Sequence, residues 1–218
     1  MIRAAFASVA GLAAAAAMAT ATTPGPSAPE PSREWNFRVL LDGKEVGWHR
    51  YVVRPDGEST EVESRAQFDV RFLFLNAYRY RHEANERWRG ACLHQLESRT
   101  ETNGTVEEVA AVANGDALVV AGPSGDARMP GCVMSFAYWD PRILGAARLL
   151  NSQTGELLPV RVDARGTERV NVAGRSVPAT RHRLSAAELQ IDLWYADGRW
   201  VALEAPTPGG RTLRYELK

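Results

Sequence analysis

The chain has 218 residues, 45% of them hydrophobic and 24% charged, with 26 basic residues against 26 acidic ones. That balance excludes the basic stripe needed by a protein whose main partner is nucleic acid or an anionic membrane surface. The length suits one domain with a sizeable core and leaves no room for a second.

Met1, Ile2 and Arg3 form a short basic start, Ala4 to Ala19 is a small apolar run, and Ala17-Met18-Ala19 or Ala19-Thr20-Ala21 offers a small-x-small cleavage site. This pattern predicts a secretory signal peptide over residues 1–21. The run falls short of the roughly 20 strongly apolar residues of a membrane span. No cysteine follows it to carry a lipid. The expectation is a soluble, exported, periplasmic protein with no transmembrane segment after cleavage. Residues 22–33 contain Pro24, Pro26, Pro29 and Pro31 and read as an extended tether. Residues 34–218 read as one antiparallel β domain.

From Trp35 onward turn signals recur: Asp42-Gly43, Asp56-Gly57, Asn103-Gly104, Asn114-Gly115, Ser124-Gly125, Thr154-Gly155, Arg165-Gly166, Ala173-Gly174, Asp197-Gly198 and Gly209-Gly210. Gaps of often about 8 to 14 residues with alternating patterns signal an all-β domain. Leu189, Ile191, Leu193 and Tyr195 share one face opposite Gln190 and Asp192, so this strand reads as wet on one side. About eleven or twelve strands are expected, too many for a flat open sheet, so the sheet should coil into a barrel, half-barrel or sandwich, and a single curved half-barrel or barrel is the expected architecture.

Within Phe68 to Trp88, a period-two reading puts Phe68, Val70, Phe72, Phe74, Asn76, Tyr78, Tyr80, His82, Ala84, Glu86 and Trp88 on one face. Alternation fails at Leu73 and Leu75, where a bulge or bend is expected. Cys92 and Cys132, an even pair in an exported chain, predict a disulfide. Asp140-Pro141 is a helix start, and Ile143, Leu144, Ala147 and Leu150 then fall on one helical face. One short amphipathic helix in a β chain must bury that face, most economically as a plug in the hollow of the sheet.

Tyr78, Tyr80, His82 and Glu86, with Ile143 and Leu144 of the helix, are the candidate ligand-binding residues: amphipathic rings inside a hollow suit a ligand with an apolar body and a few polar groups. No catalytic residue is assigned. His82 and Glu86 are the nearest to an acid–base pair, but four residues along a strand is about 13 Å. His49, His94 and His182 stand singly, without metal-ligand spacing. Neither a metal nor a cofactor is expected.

The run Phe74-Leu75-Asn76-Ala77-Tyr78-Arg79-Tyr80-Arg81-His82 with Glu86-Arg87-Trp88 is followed by Phe136-Ala137-Tyr138-Trp139-Asp140-Pro141 and by Leu149-Leu150-Asn151 with Thr154-Gly155-Glu156. Leu193-Trp194-Tyr195 then precedes Gly198-Arg199-Trp200. This combination resembles a family of exported bacterial proteins known only as a domain of unknown function. The resemblance implies an exported β-rich domain and carries over no catalytic residue. The general pattern is also similar to the curved half-barrels of periplasmic lipoprotein carriers such as LolA and LolB, a likeness of architecture that does not give function.

Three functions compete. The first is a non-catalytic periplasmic binding or carrier protein for a lipid-like amphipathic molecule. The second is an enzyme using His82, Glu86 and the tyrosines on a small envelope or lipid substrate. The third is a scaffold whose exposed aromatics, such as Trp48, Trp194 and Trp200, meet another envelope protein.

Overall fold

Alternation of apolar and charged residues, punctuated by tight turns, folds almost all of the domain into strands. The computed structural model describes residues 31–72, 75–207 and 209–218, and the side chains of 71–77 are not described. The expected signal peptide at 1–21 and most of the expected tether at 22–33 therefore lie outside the described residues, as do Leu73 and Phe74, and so do the side chains of the ladder positions Phe72 and Asn76.

The first run of strands is β1 (Arg33–Leu41), β2 (Lys44–Asp56), β3 (Ser59–Phe72), β4 (Leu75–Arg89), β5 (Cys92–Thr102), β6 (Thr105–Asn114), β7 (Ala117–Ala121) and β8 (Ala127–Pro130). After a 3-10 helix at Pro141–Gly145 come two short strands, β9 (Arg148–Leu150) and β10 (Leu157–Pro159). The second run is β11 (Arg161–Val172), β12 (Arg175–Ala186), β13 (Leu189–Ala196), β14 (Arg199–Pro206) and β15 (Thr212–Leu217). Thirteen strands form one antiparallel sheet in the order β11-β12-β13-β14-β15-β1-β2-β3-β4-β5-β6-β7-β8, and β9 pairs with β10 alone. The fold is thus all-β with a single large curved sheet. That sheet is not closed, since β8 and β11 remain its edges. It has more strands than the expected eleven or twelve because β8 and the long β11–β12 hairpin join it.

Several hairpins turn on two residues with positive φ, the geometry whose twist matches that of paired strands. Asp42 and Gly43 have φ of 50° and 79°, and Asp197 and Gly198 have 48° and 74°. Arg165-Gly166 is not a turn: Gly166, with φ of 96°, sits at a register shift inside β11. A glycine there absorbs a bulge, which kinks a strand without reversing it. Phe68 to Trp88 likewise divides between β3 and β4, with a register shift between Val70 and Arg71.

One face of the sheet wraps a core that includes Trp35, Phe37 and Val39 of β1, Trp88 of β4, Leu96 of β5, Leu193 of β13 and Trp200 of β14. The segment from β8 to β11 must travel between opposite edges of the sheet, and it does so through this interior. Val133, Trp139, Ile143, Leu149 and Leu150 of that segment are buried in the same core. The plug is therefore the whole crossover, and the helix is only part of it. The helix stops at Gly145: Ala146 is extended, its N–H donates to the Ile143 carbonyl, and Leu150, expected on the helical face, belongs to β9.

The outer face of β13 is wet only at Gln190. Asp192 and Trp194 are both buried, and Trp194 packs with Val170, Ala179, Val201 and Ala202 in a second, smaller cluster. Two arginines cover this face: Arg183 donates to Asp192 at 2.8 Å and 2.7 Å, while the guanidinium of Arg181 lies 5.2 Å from the Trp194 ring. Trp200 is fully buried in the main core, so of the three tryptophans read as exposed only Trp48 is exposed. That removes most of the basis of the scaffold reading.

Candidate functional site

The register of β2 to β5 brings two inward rows side by side. His49, Ala66, His82 and Thr100 form one, and Tyr51, Ser64, Ala84 and Ser98 the other. Large polar or aromatic groups alternate here with Ala and Ser, and the small side chains leave a hollow that the core fills elsewhere. The resulting cavity has a volume of about 260 Å³.

Its two walls differ in chemistry. The β2–β4 wall carries His49, Tyr51, Ser64, Tyr80, His82 and Glu86. The facing wall, from β13 to β15, carries Leu189, Ile191, Leu203, Ala205, Leu213 and Tyr215. The crossover covers the space with Ser135 to Trp139 and Asn151 to Gln153.

Most polar groups of the site are held in place by defined partners. His49 Nε2 lies 2.8 Å from Ser64 Oγ, and its Nδ1 lies 3.3 Å from the Tyr215 hydroxyl. His82 Nδ1 lies 2.9 Å from Thr100 Oγ1. Glu86 accepts from Ser135 Oγ at 2.8 Å on one oxygen and from Trp88 Nε1 at 2.9 Å on the other. Among the described residues, the Trp139 indole N–H is buried with no partner.

Burial sets the ionisation of these groups. Loss of water disfavours imidazolium, pulling His82 down to about 4 and His49 well below its ordinary value, the latter also through its neighbour His82. Burial pushes the Glu86 carboxyl up, against the opposing effect of its two hydrogen-bond donors. Tyr80, Tyr138 and Tyr215 are pushed up in the same way. At neutral pH both histidines are uncharged.

Of the residues singled out from sequence, Tyr80, His82 and Glu86 meet on one wall. Tyr78 is 37% exposed and stacks on Tyr80 at 6.4 Å, and Tyr80 stacks on His82 at 6.3 Å. Ile143 and Leu144 do not line the cavity: Ile143 is fully buried in the core and Leu144 packs beside it. The helix is also pinned in place. Asp140 caps it by accepting from the Arg142 backbone N–H at 3.0 Å, and Arg142 reaches the Gly90 carbonyl at 3.1 Å. The Cys92–Cys132 disulfide, with Cα atoms 4.9 Å apart, ties the start of β5 to the same crossover.

His82 and Glu86 do not pair, since each is engaged by other groups. Sequence reasoning missed His49, Ser64, Tyr51 and Tyr138. His49 and Tyr51 were findable, because His49, Tyr51 and Val53 alternate inward on β2 as Tyr80, His82 and Ala84 do on β4. Among the described residues no group of three or more His, Cys, Asp or Glu gathers to hold a metal. Among the same residues no helix is long and apolar enough to cross a membrane.

Comparison with curated proteins gives no match. Among solved structures, the crystal structure of a beta-barrel-like protein of domain of unknown function DUF1849 from Brucella abortus is similar, with a TM-score of 0.63. The likeness covers 86% of this chain and 95% of that one at 11% identity, and it speaks to the fold alone. Residues 37–218, everything from the middle of β1 onward, match the family model of DUF6134, and the chain belongs to that family of domains of unknown function.

Proposed function

We propose that this protein is a non-catalytic periplasmic binding or carrier protein for an amphipathic, lipid-like ligand. One observation carries the reading: a cavity with a hydrogen-bonding wall on β2–β4 faces an aliphatic wall on β13–β15. Such a division suits a molecule with one polar and one apolar end. The disulfide supports an oxidising compartment, as does the basic and then apolar start of the chain.

The test is binding of a fluorescent fatty-acyl probe by three folded proteins. Tyr80→Ala is expected to weaken binding at least tenfold, whereas Arg79→Ala, on the outer face and paired with Asp69 at 3.6 Å, should bind as the parent does. Truncating a large buried ring costs roughly 3 to 5 kcal/mol, so Tyr80→Phe serves as the control that keeps the packing. Equal binding by all of these variants would remove the cavity from the account.

A second reading has one observation in its favour. The Ser64–His49 contact has the form of a nucleophile with its base, and Tyr215 holds the other ring nitrogen. Hydrolysis of a short acyl ester that disappears in Ser64→Ala would support it, and turnover that survives this change would exclude it.

A further inference from the structure

We infer that the cavity, on the binding reading above, selects a single-chain amphiphile whose head is uncharged and hydrogen-bonding, and that it discriminates against anionic heads. The first support is where the chain puts its cations. Among the described residues, no Lys or Arg lines the cavity, although the chain has 26 of them. They are spent on the outer face, where Arg50 pairs with Glu34, Arg65 with Glu83 and Arg87 with Glu61. An anion entering this space would give up its hydration with no counter-charge to meet it. The one acidic group there, Glu86, would oppose it further.

The histidines do not repair this deficit. His49 has both ring nitrogens engaged by hydroxyls, and His82 has Thr100 on one side. Burial keeps both neutral at the pH of the test. A cationic head finds one carboxyl there, Glu86, whose oxygens are turned toward Ser135 Oγ and Trp88 Nε1 and whose charged form burial disfavours.

What remains free suits a neutral head. Among the described residues, the indole N–H of Trp139, the hydroxyls of Tyr80 and Tyr138 and the Nε2 of His82 have no hydrogen-bond partner, and all four residues line the cavity. Hydroxyls both donate and accept, so a glycerol or alcohol head matches them without a charge. At about 260 Å³ the cavity is smaller than the roughly 300 to 1,000 Å³ of ordinary small-molecule pockets, which suits a head and the start of one chain along Leu203, Ala205 and Leu213 better than several chains.

The experiment is isothermal titration of the exported protein at pH 7.5 with three probes sharing a twelve-carbon chain, each below its micellar concentration. These are monolauroylglycerol, dodecyl phosphate and dodecyltrimethylammonium. The neutral probe is expected to bind at least tenfold more tightly than either ion. Equal or tighter binding of the phosphate would overturn the inference while leaving the binding reading intact. Tighter binding of the ammonium would overturn it too, assigning Glu86 as a counter-ion. If none of the three binds, the binding reading itself fails. Tyr80→Phe, which keeps the ring and removes the hydroxyl, is expected to reduce the preference for the neutral probe about fivefold. An unchanged preference would place the selectivity outside this cavity and overturn the inference.

Discussion

At the scale of single residues, the site is built from groups whose charge the fold suppresses, and this has a consequence for stability. In the unfolded chain His82 takes up a proton as pH falls through 6.5, while in the folded protein it resists until about 4. The unfolded state therefore binds more protons throughout that window. Stability is complete above pH 6.5 and declines as the pH drops toward 4, by on the order of 3 kcal/mol for this residue. His49, held down by burial as well, acts in the same direction. Glu86 acts in the opposite direction: its carboxyl is raised above 4.5, so acid favours its folded form and offsets part of the loss. Urea midpoints measured from pH 7 to pH 5 should fall steadily. His82→Gln, which cannot titrate and can still reach Thr100, should flatten that slope. A slope that is identical in the variant would mean that the fold does not exclude the imidazolium.

At the scale of elements, approach between strands decides what is tolerated. A Cβ on Gly47 would lie 1.9 Å from the Gln67 carbonyl oxygen, where β2 pairs with β3, and backbone cannot yield as a side chain does. Gly47→Ala should destabilise the protein by on the order of 3 kcal/mol in urea unfolding, whereas Gly43→Asn, in an open turn of positive φ, should cost only tenths. The disulfide joins residues 40 apart, which in the chain-entropy view gives up to about 4 kcal/mol. Replacing both cysteines with serine should lower the urea midpoint accordingly, and thiol titration of the unreduced, denatured parent should find no free thiol. The same local physics explains what was legible in the sequence. β4 alternates cleanly because one face meets the core and the other meets water, so Tyr80, His82 and Glu86 could be placed on a common wall. β13 misled because Asp192 and Trp194 are buried under arginines of β12, and a charged residue on a covered face looks the same as one on a wet face. β8, β9 and β10 are three or four residues long, too short to show a period. The apolar spacing from Ile143 to Leu150 matched a helix by coincidence: Leu150 is buried as part of the strand β9, and Ala147 is exposed. The cavity was harder still to read, since it depends on small residues such as Ala66 and Ala84 coming into register across strands far apart in sequence.

At the scale of the whole molecule, the order of the sheet gives β15 a special position. The strands β1 to β8 follow one another, as do β11 to β15, and the two runs are joined in the sheet only where β15 pairs with β1. That seam sets Val39 against Tyr215 and Phe37 against Leu217, pairing strands at nearly opposite ends of the chain. Closing it requires ordering almost the whole polypeptide before the contacts form, which predicts slow folding for the size. It also places the two walls of the cavity on different sides of one seam, with Tyr215 of β15 touching His49 of β2. The core bridges the seam as well, through the Trp35 indole donating to the Trp200 carbonyl at 3.0 Å and through the Phe37 and Trp200 rings at 4.3 Å. Deleting residues 212–218 should therefore do more than remove an edge. It leaves β14 and β1 without their shared neighbour, exposes a strand edge on each half, and opens the apolar interior to water. The truncated protein should bind a hydrophobic dye in the absence of denaturant and lose the single cooperative unfolding transition of the parent. Removing β11 from the outer edge is the instructive contrast, since the seam and both cavity walls stay in place, and most cooperativity should survive. A truncation at 211 that still melts in one transition at the parental temperature would show that the crossover packed inside the sheet, and not the β1–β15 pairing, holds the two halves together.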